Sequence, residues 1–194
     1  VQRLSQPQQL MASDRKILEE AYAGDIIGIF DPGVFSIGDT VCSKAHKVTY
    51  EGIPTFAPEI FAAVERVDTM KRKQFEKGMT EIAQEGAIQI FQEYNTGMEE
   101  IIVGVVGVLQ FDVLVYRLKS EYGVDIRMDG MPHEYIRWIE NPDECDPACI
   151  IGTSDMKRIK DLKGAPLLLF IHEWAVKSVL EKNKGLKLSE FGRW

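Results

Sequence analysis

Only three cysteines and three histidines occur among 194 residues, and no apolar run exceeds the five residues of 167–171. A membrane helix needs roughly 20 consecutive apolar residues, so no membrane span is expected. Secreted scaffolds normally pair their cysteines, and an odd count without a targeting pattern implies a reducing, cytoplasmic setting. A structural zinc site wants four ligands. Cys145 and Cys149 offer one close pair, but Cys42, His46, His133 and His172 supply no second compact pair. His172-Glu173 opens like a metalloprotease helix, yet Val176 stands where the second zinc-binding histidine belongs. None of the sixteen glycines is followed by lysine, which removes the loop whose amides and Lys hold a nucleotide's phosphates. Gly-x-Ser-x-Gly is also missing, so no hydrolase nucleophile is marked. No catalytic residue, cofactor site or metal ligand is expected in this chain.

Three short motifs invite functional readings and fall short of them. Asp161-Leu162-Lys163-Gly164 has the letters of an Asp-x-x-Gly phosphate sensor but reads as a turn, because no companion motif accompanies it. Asn183-Lys184-Gly185-Leu186 starts like a guanine-reading Asn-Lys-x-Asp and lacks the aspartate. Gly104-Val105-Val106-Gly107 has the outline of a KH clamp, but valines between the glycines offer phosphate nothing and indicate close packing.

What is present is a 45% hydrophobic share, enough for a packed core, and a net charge of -7 that argues against a general nucleic-acid coat. The charge is uneven: residues 154–194 hold nine bases and five acids, whereas 1–153 hold 14 bases and 25 acids. Such asymmetry can mark a face that meets phosphate, although a solvated surface gives the same pattern. Two clusters are candidates for that contact. Lys71, Arg72 and Lys73 fall in the first turn of a helix, where cations oppose the dipole and local stability does not explain them. Lys157, Arg158, Lys160 and Lys163 fall on a late hairpin.

Turn formers punctuate residues 1–57 at Ala23-Gly24-Asp25, Asp31-Pro32-Gly33, Ile37-Gly38-Asp39 and Glu51-Gly52, with short apolar runs such as 26–30 between them. This is the spacing of barrel strands, about half a barrel, with an open edge that invites a partner strand or dimerisation. Pro54 and Pro58 bracket a stiff connector. Periodicity then predicts a strand over 60–67 and a helix capped at Asp68 or Thr69 with Phe75, Met79, Ile82 and Ala83 inward. A hairpin of 88–93 and 101–106 follows, turning at Asn95-Thr96-Gly97. A helix over 108–122 buries Val108, Phe111, Val115, Leu118 and Tyr122, and a strand over 124–128 ends the series. That β-α-β-β-α-β order describes a ferredoxin-like sandwich. Residues 131–194 predict a further strand at 134–140, a short helix near Asp146-Pro147, a hairpin of 156–162 and 166–171, a helix over 173–183 and a strand at 186–188, so that the pattern is repeated. The fold class is α+β: a partial β-barrel over 1–57, then an α/β domain over 58–194 made of a ferredoxin-like core (58–130) and an α/β extension (131–194).

Four segments carry a resemblance: Glu20-Ala21-Tyr22-Ala23-Gly24-Asp25-Ile26-Ile27-Gly28, Ile37-Gly38-Asp39-Thr40, Gly52-Ile53-Pro54-Thr55-Phe56-Ala57-Pro58-Glu59, and above all the stretch from Val103-Gly104-Val105-Val106-Gly107-Val108 to Tyr122. They resemble the bacterial release factor 3 family of translational GTPases, over most of residues 1–128 and more loosely beyond Gly130. Elongation factor G is a more distant likeness, with an acidic residue where this chain has Val108 and a histidine near Gln110. The resemblance implies a factor that binds the ribosome after peptide release and drives off the codon-reading release factor. It implies that 1–57 is the later part of a translation-factor domain II barrel, and that an N-terminal GTPase domain holding GTP and Mg lies outside this chain, which opens at Val1 without an initiator Met. The ribosome, through its RNA and protein, would be the partner, met by Lys71, Arg72, Lys73, Lys157, Arg158, Lys160 and Lys163. The alternatives are a stand-alone ferredoxin-like regulatory or RNA-binding module and an elongation-factor-G-like fragment.

Overall fold

The computed structural model describes residues 7–11, 14–30, 34–35, 37–50, 56–94 and 101–191. The expected turns at 31–33, 51–52 and 95–97, and Pro54, lie outside the described residues. Two compact units divide the chain, Val1–Gly52 and Ile53–Trp194. In the first, β1 (Gln8–Met11) and β2 (Asp14–Ile17) pair antiparallel, with Gln8 opposite Ile17. The strand expected over 26–30 is reduced to a single bridge between Gln8 and Gly28. Ile26 and Phe30 are exposed there; a strand needs a lateral partner for its amides and carbonyls, and among the described residues this run meets one only at Gly28.

The second unit follows the expected order. It runs β3 (Ile60–Arg66), α1 (Arg72–Gln84), β4 (Gln89–Glu93), β5 (Ile101–Val105), α2 (Leu109–Tyr122) and β6 (Ile126–Met131). It continues with β7 (Tyr135–Ile139), β8 (Met156–Asp161), β9 (Pro166–Phe170), α3 (Glu173–Lys182) and β10 (Leu188–Ser189). All eight strands form one antiparallel sheet in the order β10-β7-β9-β8-β4-β5-β3-β6. The two halves meet where β4 pairs with β8, through Phe91 opposite Asp161, Gln92 opposite Lys160 and Glu93 opposite Ile159. Outward from that seam, each half presents its strands in the same sequence: second, third, first, fourth. The short helix expected near Asp146-Pro147 is a single 3-10 turn, Pro147–Cys149, started by Asp146 Oδ1 accepting from the Ala148 amide.

Alternation along the strands assigns the cores. Val64, Ile90, Ile101, Val103 and Val105 face α1 and α2 and pack on Phe75, Met79, Ile82, Leu114 and Leu118. In the second half Leu168 and Phe170 meet Ala175, Val176 and Val179 of α3. The opposite faces of both halves, with Phe61, Phe91 and Ile102 from one and Ile136, Ile159, Leu167 and Leu169 from the other, form a third buried cluster without any helix.

Local chemistry explains the helix ends. Asp68 Oδ1 accepts from the Met70 amide at 2.9 Å, but the first turn is 3-10 and α1 proper starts at Arg72. Gly123 closes α2 in the left-handed region at φ 65, where a side chain would be strained. Gly78 lets the helices meet: a Cβ there would lie 2.8 Å from Leu118 Cδ2 and 2.9 Å from the Tyr122 ring. The inward face of α2 differs from the expectation. Leu114 and Leu118 are fully buried, Phe111, Val115 and Tyr122 are half-buried, and Val108 is 61% exposed. Apolar residues occur on more than one face of this helix, so spacing alone found Leu118 and the core-edge Phe111 and Tyr122 but included Val108 and passed over Leu114.

Candidate functional site

The seven candidate bases are not equally available. Lys71 Nζ donates to the Gly123 carbonyl at the C-terminal end of α2, where a cation is favoured by the helix dipole. Arg72 Nε pairs with Glu76 Oε1 at 2.7 Å, one turn along α1. The fold therefore engages two of this trio, Arg72 with a partner one turn on and Lys71 with one 52 residues away. Lys73 is exposed and has no ion pair among the described residues.

On β8, side chains alternate between faces, which splits the second cluster. Lys157 lies beside the seam, its Nζ 3.6 Å from Glu93 Oε1. Arg158 points the other way and donates to the Ile150 carbonyl at 2.5 Å, while its buried Nε has no partner. Lys160 is half-buried and Lys163 is exposed at the β8–β9 turn; neither forms an ion pair among the described residues. The hairpin thus carries no single basic patch of four.

Both nucleotide-like tetrads are occupied by backbone work. Asp161 Oδ1 accepts from the Lys163 and Ala165 amides at 2.9 and 2.8 Å, and Gly164 takes φ 86, so Asp161 to Gly164 builds the hairpin turn. Asn183 Oδ1 accepts from the Ile151 amide at 2.7 Å, and its Nδ2 donates to the Ile151 and Val179 carbonyls. Among the described residues no three His, Cys, Asp or Glu side chains converge as metal ligands, and no helix is long and apolar enough to cross a membrane.

The surface around the start of α2 is more built. Gln110 Oε1 accepts from the Val106 and Gly107 amides at 2.8 and 3.0 Å, and its Nε2 donates to the Ala87 carbonyl at 2.8 Å. This one side chain ties the β5–α2 junction to the α1–β4 loop. Gly104 belongs to the same construction, because a Cβ there would lie 2.8 Å from Pro58. The close packing expected of the Gly104 to Gly107 segment holds at Gly104 and Val105 only; Val106 is half-exposed and Gly107 faces open space. A cleft of about 640 Å³ opens here, bounded by Phe56, Ala87, Val106, Val108, Leu109 and Gln110. Further along α2, Arg117 Nε and one terminal nitrogen donate to both oxygens of Glu121 at 2.8 and 2.9 Å, and Arg117 also pairs with Glu85 after α1. Those bonds, to Glu121 first, hold the guanidinium more firmly protonated than usual and draw the Glu121 carboxyl below its ordinary value. The Tyr122 hydroxyl donates to Glu81 Oε2 at 2.6 Å; that bond, with burial, pushes its pKa up to about 12.

The family model described as "Class II release factor RF3, C-terminal domain" matches residues 50–180. The chain belongs to the release factor 3 family. Curated relatives named peptide chain release factor 3 agree: one from Symbiobacterium thermophilum is 50% identical over 95% of this chain, and one from a Cyanothece strain 45% identical over 96%. One from Nostoc punctiforme is 42% identical over 96%. In each case this chain spans 34% of the relative's length. Residues 1–44 also match the model of elongation factor G domain 2. A solved chain from Thermus thermophilus overlays 80% of this chain and 24% of its own at 15% identity and a TM-score of 0.47, too distant to add to the assignment. Within the release factor 3 family, the surface that sequence reasoning passed over is the outward face of α2, where Leu109, Val113 and Tyr116 follow helical spacing as a second apolar stripe beside the buried one.

Proposed function

We propose that this chain is the ribosome-facing C-terminal part of a translational GTPase that promotes dissociation of codon-reading release factors after termination. The observation that carries the reading is the match of residues 50–180 to the release factor 3 C-terminal domain. The elongation factor G model matches only 1–44, which favours termination over translocation. GTP and Mg belong, in this reading, to a GTPase domain outside the chain. The strand order β4-β5-β3-β6 with α1 and α2 on one face supports a ferredoxin-like core over 58–130, and the order repeated across the seam supports a second such unit over 131–194. Residues 1–57 form the later part of a domain II barrel, a reading supported by the match over 1–44.

The ribosomal contacts are proposed among Lys71, Arg72, Lys73, Lys157, Arg158, Lys160 and Lys163, with Lys73, Lys160 and Lys163 foremost because, among the described residues, their ammonium groups are bonded to neither a carboxylate nor a carbonyl, unlike the charged groups of the other four. The experiment reverses Lys73 and Lys163 to Glu in a full-length parent. Removing one lysine from a phosphate should lower the salt slope of ribosome binding by about one, with ribosome-stimulated GTP turnover reduced and nucleotide affinity in solution unchanged. Wild-type affinity and slope in the doubly reversed protein would remove these bases from the interface.

A further inference from the structure

Leu109, Val113 and Tyr116 stand at i, i+4 and i+7 on α2, exposed by 73%, 48% and 72%, and Val106 and Val108 extend the same apolar strip into the cleft at the β5–α2 junction. Soluble proteins rarely leave such a contiguous strip uncovered without a use for it. Its charges are sparse and of one kind. Asp112 shares the strip and has no ion pair among the described residues, whereas both bases of α2 are engaged, Arg117 with Glu85 and Glu121 and Lys119 with Asp125. Pressed against RNA, this surface would bury a carboxylate against phosphate and offer no cation in return. Pressed against a protein, its valines and leucine meet apolar side chains, Tyr116 supplies an aromatic anchor of the kind that dominates interfaces, and Asp112 meets a base. We propose that the outward face of α2, from Val106 to Tyr116, docks a basic protein surface of the ribosome and not its RNA. Gln110 has the positioning part: by bonding the Val106 and Gly107 amides and the Ala87 carbonyl, it fixes the angle at which the strip leaves the sheet.

The inference rests on the ribosome-binding reading above and is tested in a full-length parent on purified ribosomes. Asp112→Lys gives a result of opposite sign for the two surfaces. Against a basic protein it weakens association by about 5-fold or more, through like-charge contact. Against phosphate it tightens association and steepens the salt dependence by about one contact. Tyr116→Ala should weaken binding by about 10-fold or more if the ring is an anchor. Both positions are exposed, so unchanged urea midpoints exclude a folding effect. A photo-crosslinking residue at Val113 should label ribosomal protein. Tighter binding by Asp112→Lys, crosslinks to RNA alone, or wild-type affinity in both variants would overturn the docking surface while leaving ribosome binding intact. A wild-type parent that fails to associate would overturn the ribosome reading, and this surface with it.

Discussion

Replacing Gly78 with alanine sets two effects of known sign against each other. In a helix interior exposed to water, the change gains about 1 kcal/mol, because glycine loses more backbone freedom on folding. Here the new methyl would sit 2.8 Å from Leu118 Cδ2 and 2.9 Å from two atoms of the Tyr122 ring. Neither neighbour has room to retreat: Leu118 is fully buried, and the Tyr122 hydroxyl is held at 2.6 Å by Glu81 on α1 itself. Overpacking of this kind costs about 1–3 kcal/mol. With both contacts on one rigid helix the upper half of that range applies, leaving a net loss of about 1–2 kcal/mol. Urea unfolding followed by far-UV circular dichroism reads it, since the three α-helices among the described residues belong to the second unit; the midpoint should fall with m unchanged. Combining Gly78→Ala with Leu118→Ala should restore part of the loss, so that the pair is non-additive by about 1 kcal/mol. A rise in the midpoint for Gly78→Ala alone would refute the close approach of α1 and α2.

Two further outcomes follow from burial. Phe75→Ala, at a fully buried ring, should cost about 3–5 kcal/mol, and Phe111→Ala, half-buried at the rim of the same core, clearly less; the reverse ranking in urea would mean α2 is turned on its axis. His133 is buried with Nδ1 unpartnered, and burial, aided by Lys157 and opposed by Asp155, lowers its pKa. The unfolded chain therefore takes up a proton near the ordinary histidine value of about 6.5 when the folded chain does not, so this contribution to stability is complete above that pH and lost as pH falls through the folded value. Chemical-denaturation midpoints between pH 7.5 and 5 should drop more steeply in the wild type than in His133→Gln, and parallel curves would count against it.

Much of the second unit was legible because each element announces itself locally. The stripe Phe75, Met79 and Ile82, the cap at Asp68 and the glycines at 86 and 123 all act within one or two turns of chain, and the structure uses them as read. The β4–β8 seam left no comparable mark, since nothing local in residues 89–93 records a partner near residue 160. The Lys71 bond to Gly123 is hidden for the same reason. The division of Lys157 from Arg158 follows from strand alternation and was open to reading; a charge count ignores direction. On α2 the partial miss was degeneracy: with Val108, Leu109, Phe111, Val113, Leu114, Val115 and Leu118 all apolar, more than one face qualified, and only contact with the sheet brought Leu114 in and left Val108 out.

The seam joins like to like, the second strand of one half against the second strand of the other, as two subunits do across a two-fold axis. Three residue pairs hold the register, and a slip of β8 by one would turn Ile159 out of the cluster it shares with Phe91 and bring Lys160 in. The halves are consequently locked as the partners of an obligate dimer are, with covalent linkage in place of concentration. A chain cut after Met131 would carry Phe61, Phe91 and Ile102 as an uncovered apolar floor beside an open β4 edge, a ready template for self-association. Because its strands are hydrogen-bonded without a break from β10 to β6, the sheet beneath α3 and the sheet beneath α1 and α2 are one surface.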